Sequence, residues 1–259
     1  VTIAEQPNSS RSPIAMQLIR RLVDSLTQML HDPDPPAGGR DPEMIRKFVL
    51  ESLERAVGRF RVHRQGMLID SFVALAGSSS ETLRSILSDP LHACYQSVIQ
   101  TLAESNCPGV IHLLFEYLKQ PNAPGAIHNV VSRRTDPAFI AALCSFVSNT
   151  SSKHVARNLA RIKTYDWLAP LQTLCERFND AQLAAAARLI GKSGLKDRHL
   201  LDFLEQLLTS GQEAAKLAAC ECLASRVGDR ADALALAALD DPLPSVQAAA
   251  ARQLCNRPI

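Results

Sequence analysis

Gln182-Leu183-Ala184-Ala185-Ala186-Ala187-Arg188-Leu189 and Lys216-Leu217-Ala218-Ala219-Cys220-Glu221-Cys222-Leu223 are the stretches whose reading decides the fold. Both are runs of small side chains with leucines at helical spacing. Alanine and leucine favour helix, and short side chains let helices approach closely. Ser245-Val246-Gln247-Ala248-Ala249-Ala250-Ala251-Arg252 repeats the pattern, and His154 to Leu159 and His92 to Ile99 carry fainter versions. Anchors at Cys94, Ile127, Val155, Leu183, Leu217 and Val246 stand 33, 28, 28, 34 and 29 residues apart by subtraction. A period in this range marks stacked helical units, each covering its apolar face with the next. The expected class is all-α: a right-handed α-α superhelix of about six helix pairs over 79–259, behind an N-terminal helical block over 1–78.

Breakers set the element boundaries. Asp89-Pro90, Asn106-Cys107-Pro108, Gln120-Pro121-Asn122, Asp136-Pro137, Asn179-Asp180, Gly191-Lys192-Ser193-Gly194 and Asp241-Pro242 divide the repeat region. They predict helices near 81–88 and 91–104, 109–119 and 124–133, 137–148 and 152–162, 167–178 and 180–190, 197–208 and 213–225, and 230–239 and 243–255. Aspartate before proline suits an N-cap followed by the first helical position. Ahead of these lie a polar lead to Ser12 and predicted helices over Pro13–Leu30, Pro42–Phe60 and Gly66–Leu75, with a proline- and glycine-rich break at 32–39.

Asp241-Pro242-Leu243-Pro244-Ser245-Val246-Gln247-Ala248-Ala249-Ala250-Ala251-Arg252-Gln253-Leu254 resembles the second helix of a HEAT repeat. The short period is similar to the bacterial HEAT-like subclass that also occurs in phycobilin lyases. The resemblance covers about two thirds of the chain, strongest over 213–255. It implies an armadillo-like solenoid, a scaffold on which fold alone assigns no function. The family's arginine after the valine, which pairs with the turn aspartate, is Gln247 here, and the equivalent after Leu217 is Ala218. The expectation is therefore a lost polar ladder and stacking through apolar contact.

Composition narrows the function classes. The hydrophobic share is 46% and aromatics make up 5%, which suits a folded helical chain. Net charge is +2, with 18 Lys+Arg against 14 Asp+Glu up to Tyr165 and 10 against 12 beyond it. That asymmetry is too mild to name nucleic acid as the partner. The seven cysteines form no CxxC pair and fall on apolar helix faces. This predicts free thiols in a reducing, cytoplasmic setting, with no disulfide and no bound metal. The apolar run Ala138 to Val147 is ten residues, too short to span a bilayer.

Local motifs yield no catalytic constellation. Gly191-Lys192-Ser193 ends like a phosphate-binding loop, but the glycine that loop needs five residues earlier is Ala186. Cys220 and Cys222 sit about 200° apart on a helix and cannot grip one metal together. None of the seven histidines forms HExxH. No cofactor is expected, and the chain is read as a non-enzyme.

Two basic groups are candidate binding surfaces. Arg55, Arg59, Arg61 and Arg64 surround Phe60 and Val62. In the second group Lys153, Arg157 and Arg161 line one stripe, with His154 and Lys163 beside it and Arg133 and Arg134 ending the corresponding helix of the previous pair. With Trp167 as a partner anchor, Arg133, Arg134, Lys153, Arg157 and Arg161 make a candidate strip in the concave groove. The leading functional reading is a non-catalytic protein-interaction scaffold. A nucleic-acid-binding HEAT-like module is the alternative, and an enzyme on the same scaffold is the third. The first residue, Val1, and an apolar final helix from Val246 to Cys255 predict an excised piece that self-associates through its last repeat.

Overall fold

A computed structural model describes residues 17–18, 21–26, 42–59, 66–162, 164–224 and 226–255. Helices and the turns that join them make up the described residues, with no strand among them. None of their helices is long and apolar enough to cross a membrane. The chain divides into two compact units, Val1–Tyr117 and Leu118–Ile259.

In the first unit, residues 17–18 and 21–26 are helical, followed by α1 (Pro42–Arg59), α2 (Gly66–Leu75), α3 (Glu81–Ser88) and α4 (Tyr95–Glu104). The helix α5 (Pro108–Lys119) begins in this unit and ends two residues past its boundary at Tyr117. α2 packs against α1 and α4, and α4 against α3. Phe72, Ile69, Leu83, Ile86 and Leu102 are fully buried and form its apolar centre. Ser80 caps α3 by accepting from the Leu83 N–H, while its hydroxyl donates to Glu54 of α1. The chain from Leu91 to Cys94 is a turn where helix was expected. The Asp89 carboxylate accepts from Leu91 N–H and the His92 ring from Cys94 N–H, so side chains take backbone donors that a helix would have used.

The second unit holds α6 (Gly125–Arg133), α7 (Pro137–Asn149), α8 (Lys153–Ala160), α9 (Leu168–Cys175), α10 (Asp180–Lys192), α11 (Asp197–Ser210), α12 (Glu213–Leu223), α13 (Asp229–Ala237), a 3-10 turn at Ala238–Asp240 and α14 (Pro244–Cys255). The predicted ends hold to within a few residues, because the caps are local. Asp136 accepts from Phe139 N–H, and Asn179 and Gln182 form a reciprocal capping box. Gly191 and Lys192 are not a break but the last turn of α10. Glycine is required at 191 by close approach: a Cβ there would lie 2.4 Å from the Cys222 sulfur.

α10 is the centre of this unit, with Ala184, Ala185, Ala186, Ala187, Leu189 and Ile190 all buried. It packs chiefly against α7 and α12, and α12 in turn against α14. Cys220 joins Ala238, Val246, Ala249 and Ala250 in one cluster, while the Cys222 thiol donates to Ala187 of α10, so the two thiols serve opposite sides of α12. Of the final helix, Val246, Ala249 and Ala250 face this cluster, and Ala248, Ala251 and Cys255 are exposed.

The polar ladder is rebuilt, contrary to the sequence expectation. Lys216 of α12 donates to the Asp241 carboxylate at 2.6 Å, with both side chains buried. Asp241 also accepts from Leu243 N–H, and Gln247 donates to its carbonyl. One step earlier, the Asp180 carboxylate accepts from Ala214 and Ala215 N–H at 2.7 and 3.0 Å. These are orphan donors of the first turn of α12, whose own N-cap residue, Gln212, makes no side-chain cap. The cation comes from α12, two positions before Ala218, so the pattern of the final helix concealed it.

Candidate functional site

Across α7, α10 and α12 runs an open groove of about 530 Å³. Its walls are matched stripes. Ala181, Ala184 and Arg188 of α10 stand opposite Ala214, Leu217 and Glu221 of α12, each pair 33 residues apart. Ala141, Cys144, Ser145 and Ser148 form the corresponding stripe of α7, with Ser148 meeting Arg188 across 40 residues. Residues at i, i+3 or i+4, and i+7 share one helix face. The small side chains along these stripes leave space between the helices. Cys144, Ala184 and Ala185 form a buried floor, with Ala214 and Leu217 half-buried beside it. Phe178 and Asn179 close the end at the start of α10.

Arg188 and Glu221 are the charged residues among the described lining of the groove. Arg188 donates to Glu221 at 3.2 Å and to the Ser148 hydroxyl at 3.0 Å. Lys192, one turn on, donates to the carbonyls of Val147 at 2.9 Å and Thr150 at 3.1 Å, satisfying the C-terminal end of α7. Burial and then the neighbouring Arg188 hold the Lys192 ammonium below the usual lysine range. Arg226 donates to the carbonyl of Gly191. Burial pushes the Cys222 thiol up to about 12; Glu221 adds to the shift, and Arg188, Arg226 and Lys192 oppose it. Three cations and one carboxylate thus surround that sulfur.

Burial, with Cys175 nearby, pushes the Cys144 thiol of the floor up to about 12, leaving little thiolate for nucleophilic attack. Among the described residues no histidine lines the groove. Among the described residues no group of three or more His, Cys, Asp or Glu is placed to hold a metal ion.

The strip read from the sequence divides. Arg133, Lys153, Arg157 and Arg161 are exposed, on α6, α8 and the residue that ends α8. Arg134 is not part of it. Its side chain is fully buried, pairs with Asp136 at 2.9 Å and lies over the Phe139 ring at 4.4 Å. Trp167 is likewise fully buried, edge-on to Tyr165 at 5.4 Å, and fills space inside the unit. Burial removes both from any exposed surface. None of the six lines the groove. The repeat alignment set Val155 of α8 one step before Leu183; at this groove the helix lying beside α10 is α7.

α8 has its own structural task. Asn158 is fully buried, donates to the carbonyls of Leu118 and Gln120 at 2.8 Å each, and meets the His128 ring at 3.3 Å. Of the other basic group, Arg55 is exposed and pairs with Glu51 at 3.9 Å; Phe60, Arg61, Val62 and Arg64 lie outside the described residues, as does Lys163.

The groove was written in the same alanine runs that carry the repeat, but the step to α7 differs from the others. No protein-family model, no curated protein and no solved structure matches this chain.

Proposed function

We propose that this chain is a non-catalytic protein-interaction scaffold of HEAT-like helical repeats, and that the groove between α7, α10 and α12 receives a segment of its partner. The observation that carries the reading is the register of the lining: equivalent positions on α10 and α12, with the stripe of α7 beside them, combine small apolar side chains with a polar end. Repeated rigid helices present surfaces of this kind. The concave side of a solenoid is the arrangement that such parallel stripes suit. The free thiols among the described residues fit a reducing, cytoplasmic setting.

Selection from a displayed peptide library tests it. Peptides enriched on the wild type should lose binding to Leu217→Arg and to Ala181→Trp, which fill the groove from half-exposed and exposed positions. Binding untouched by both substitutions places the partner elsewhere.

A second reading rests on Arg133, Lys153, Arg157 and Arg161, which are exposed and have no ion pair with any described residue. Such a surface suits phosphates. Fluorescein-labelled duplex DNA should then bind with an affinity that falls steeply with salt, and Arg157→Glu with Arg161→Glu should abolish it. Salt-independent or absent binding removes this reading.

A further inference from the structure

We propose that one edge of the second unit binds the backbone of a nucleic-acid duplex, with Arg133, Arg161, Lys196 and Arg198 each meeting a phosphate. This goes beyond the scaffold reading. It rests on the second, nucleic-acid reading and moves its contacts from the α8 stripe to a row of loops.

The row is built by contacts between loops that follow α6, α8 and α10. The Ser132 carbonyl accepts from Asp166 N–H at 2.9 Å, and the Thr164 hydroxyl donates to the Ser132 hydroxyl at 3.3 Å. These bonds set the end of α6 against the loop after α8. A Cβ on Gly194 would lie 2.7 Å from the Ala160 carbonyl and 2.9 Å from the Tyr165 hydroxyl, so the loop after α10 lies directly against the same stretch. Arg133, Arg161 and Lys196 stand within two residues of these contacts, and Arg198 is in the first turn of α11. All four are exposed, and none has an ion pair with a described residue.

Acids do little to offset them. Asp136 is held by Arg134, and Asp202, four positions after Arg198, is held by Arg230 at 2.7 Å. Asp166 remains as an exposed acid among the described residues of the row. The net charge of +2 counts acids of the whole chain and so conceals this edge. Lys153 begins α8 at its other end, about 12 Å from the row over eight residues, and lies outside it.

The loops also select the form of the ligand. Single-strand binders stack bases on aromatic side chains. Here Trp167 is fully buried and Tyr165 is half-buried, its hydroxyl donating to the Ile162 carbonyl. Protein partners draw affinity from buried apolar anchors. Leu195, Ile162 and Trp167 are all turned inward, and no large apolar side chain is exposed among the described residues of these loops. Phosphate contacts to a duplex need neither feature, because released counterions supply the affinity without regard to sequence.

The test is fluorescence anisotropy with two fluorescein-labelled DNA duplexes of unrelated sequence, a single strand of equal length and polyglutamate, from 50 to 200 mM salt. Four phosphate contacts predict equal binding of both duplexes that weakens about a hundredfold over that range. Lys196→Gln with Arg198→Gln should lower the slope of log affinity against log salt by about 2, with the melting temperature unchanged. Lys153→Gln with Arg157→Gln should leave the slope as it is. The reverse result, a slope lowered by the second pair and not the first, overturns the edge and leaves the α8 stripe of the second reading standing. A single strand or polyglutamate bound as tightly as the duplex overturns the choice of ligand. No duplex binding at 50 mM salt overturns the edge and the nucleic-acid reading together.

Discussion

The Lys216 ammonium lies 2.6 Å from the Asp241 carboxylate, inside the unit and between helices whose sequences promised no such pair. Burial alone would raise the Asp241 carboxyl. The hydrogen bond from Lys216, the Leu243 N–H and the Lys216 charge outweigh it and hold the group below the usual carboxylate range. A depressed carboxyl stabilises the fold above its unfolded value of about 3.9, and that contribution is lost as pH falls through the lower folded value. Asp241→Asn leaves Lys216 buried without its counter-charge, at a cost of about 3 kcal/mol at pH 7. Thermal melts of both proteins should differ fully at pH 7, and the gap should narrow as pH falls below about 3.9. A gap that does not narrow on acidification would deny the ion pair its role.

Gly191 and Cys222 form a second tight contact. Alanine at 191 gains helix propensity of about 1 kcal/mol but drives a Cβ into the Cys222 sulfur. Gly191→Ala should therefore destabilise, by about 1–3 kcal/mol. Adding Cys222→Ala removes the obstructing atom and should recover most of the loss. A double mutant no better than the single would place the constraint outside this contact. Urea unfolding curves read all three.

Two adjacent arginines should behave in opposite ways. Arg133→Ala, at an exposed position, should change stability by less than about 0.5 kcal/mol. Arg134→Ala removes a buried ion pair and a cation–π contact, leaves the Asp136 carboxylate without its counter-charge, and should cost about 3 kcal/mol. Similar melting temperatures for both variants would contradict the burial.

Thiol reactivity should follow exposure. Cys255 is exposed, whereas burial pushes Cys144 and Cys222 up to about 12, leaving about one thiolate in ten thousand at pH 8. Brief iodoacetamide treatment of the native protein, read by peptide mass mapping, should label Cys255 long before those two. Early labelling of Cys222 would mean that α10 and α12 separate readily.

The sequence made helix positions legible because their signals are local: Asp136 before Pro137 and Asn179 before Gln182 each fix a helix start with atoms three residues away. Stacking was less legible. The α10 to α12 step shows as Arg188 and Glu221 at matching positions. The step into α10 is 40 residues, counted from Ser148, and the intervening α8 carries alanine and leucine at tempting spacing. Arg157 and Arg161 therefore looked like groove residues, while the stripe beside Arg188 belongs to α7. Trp167 and Arg134 show the other limit. Whether a large or charged side chain turns inward depends on neighbours distant in sequence, and Phe139 and Asp136 settle it for Arg134.

Lys192 also bears on how such a chain can change over generations. It spans 45 and 42 residues to terminate α7, as Asp180 reaches forward 34 and 35 to begin α12. The C-terminal end of α7 and the first turn of α12 are each finished by a side chain of α10. Excising or duplicating one helix pair as a cassette strands a lysine at one seam and two amide donors at the other. These packed helices are therefore poor in modularity: adding helices requires new seam residues together with them, and the number of helices should resist drift more than the surface does.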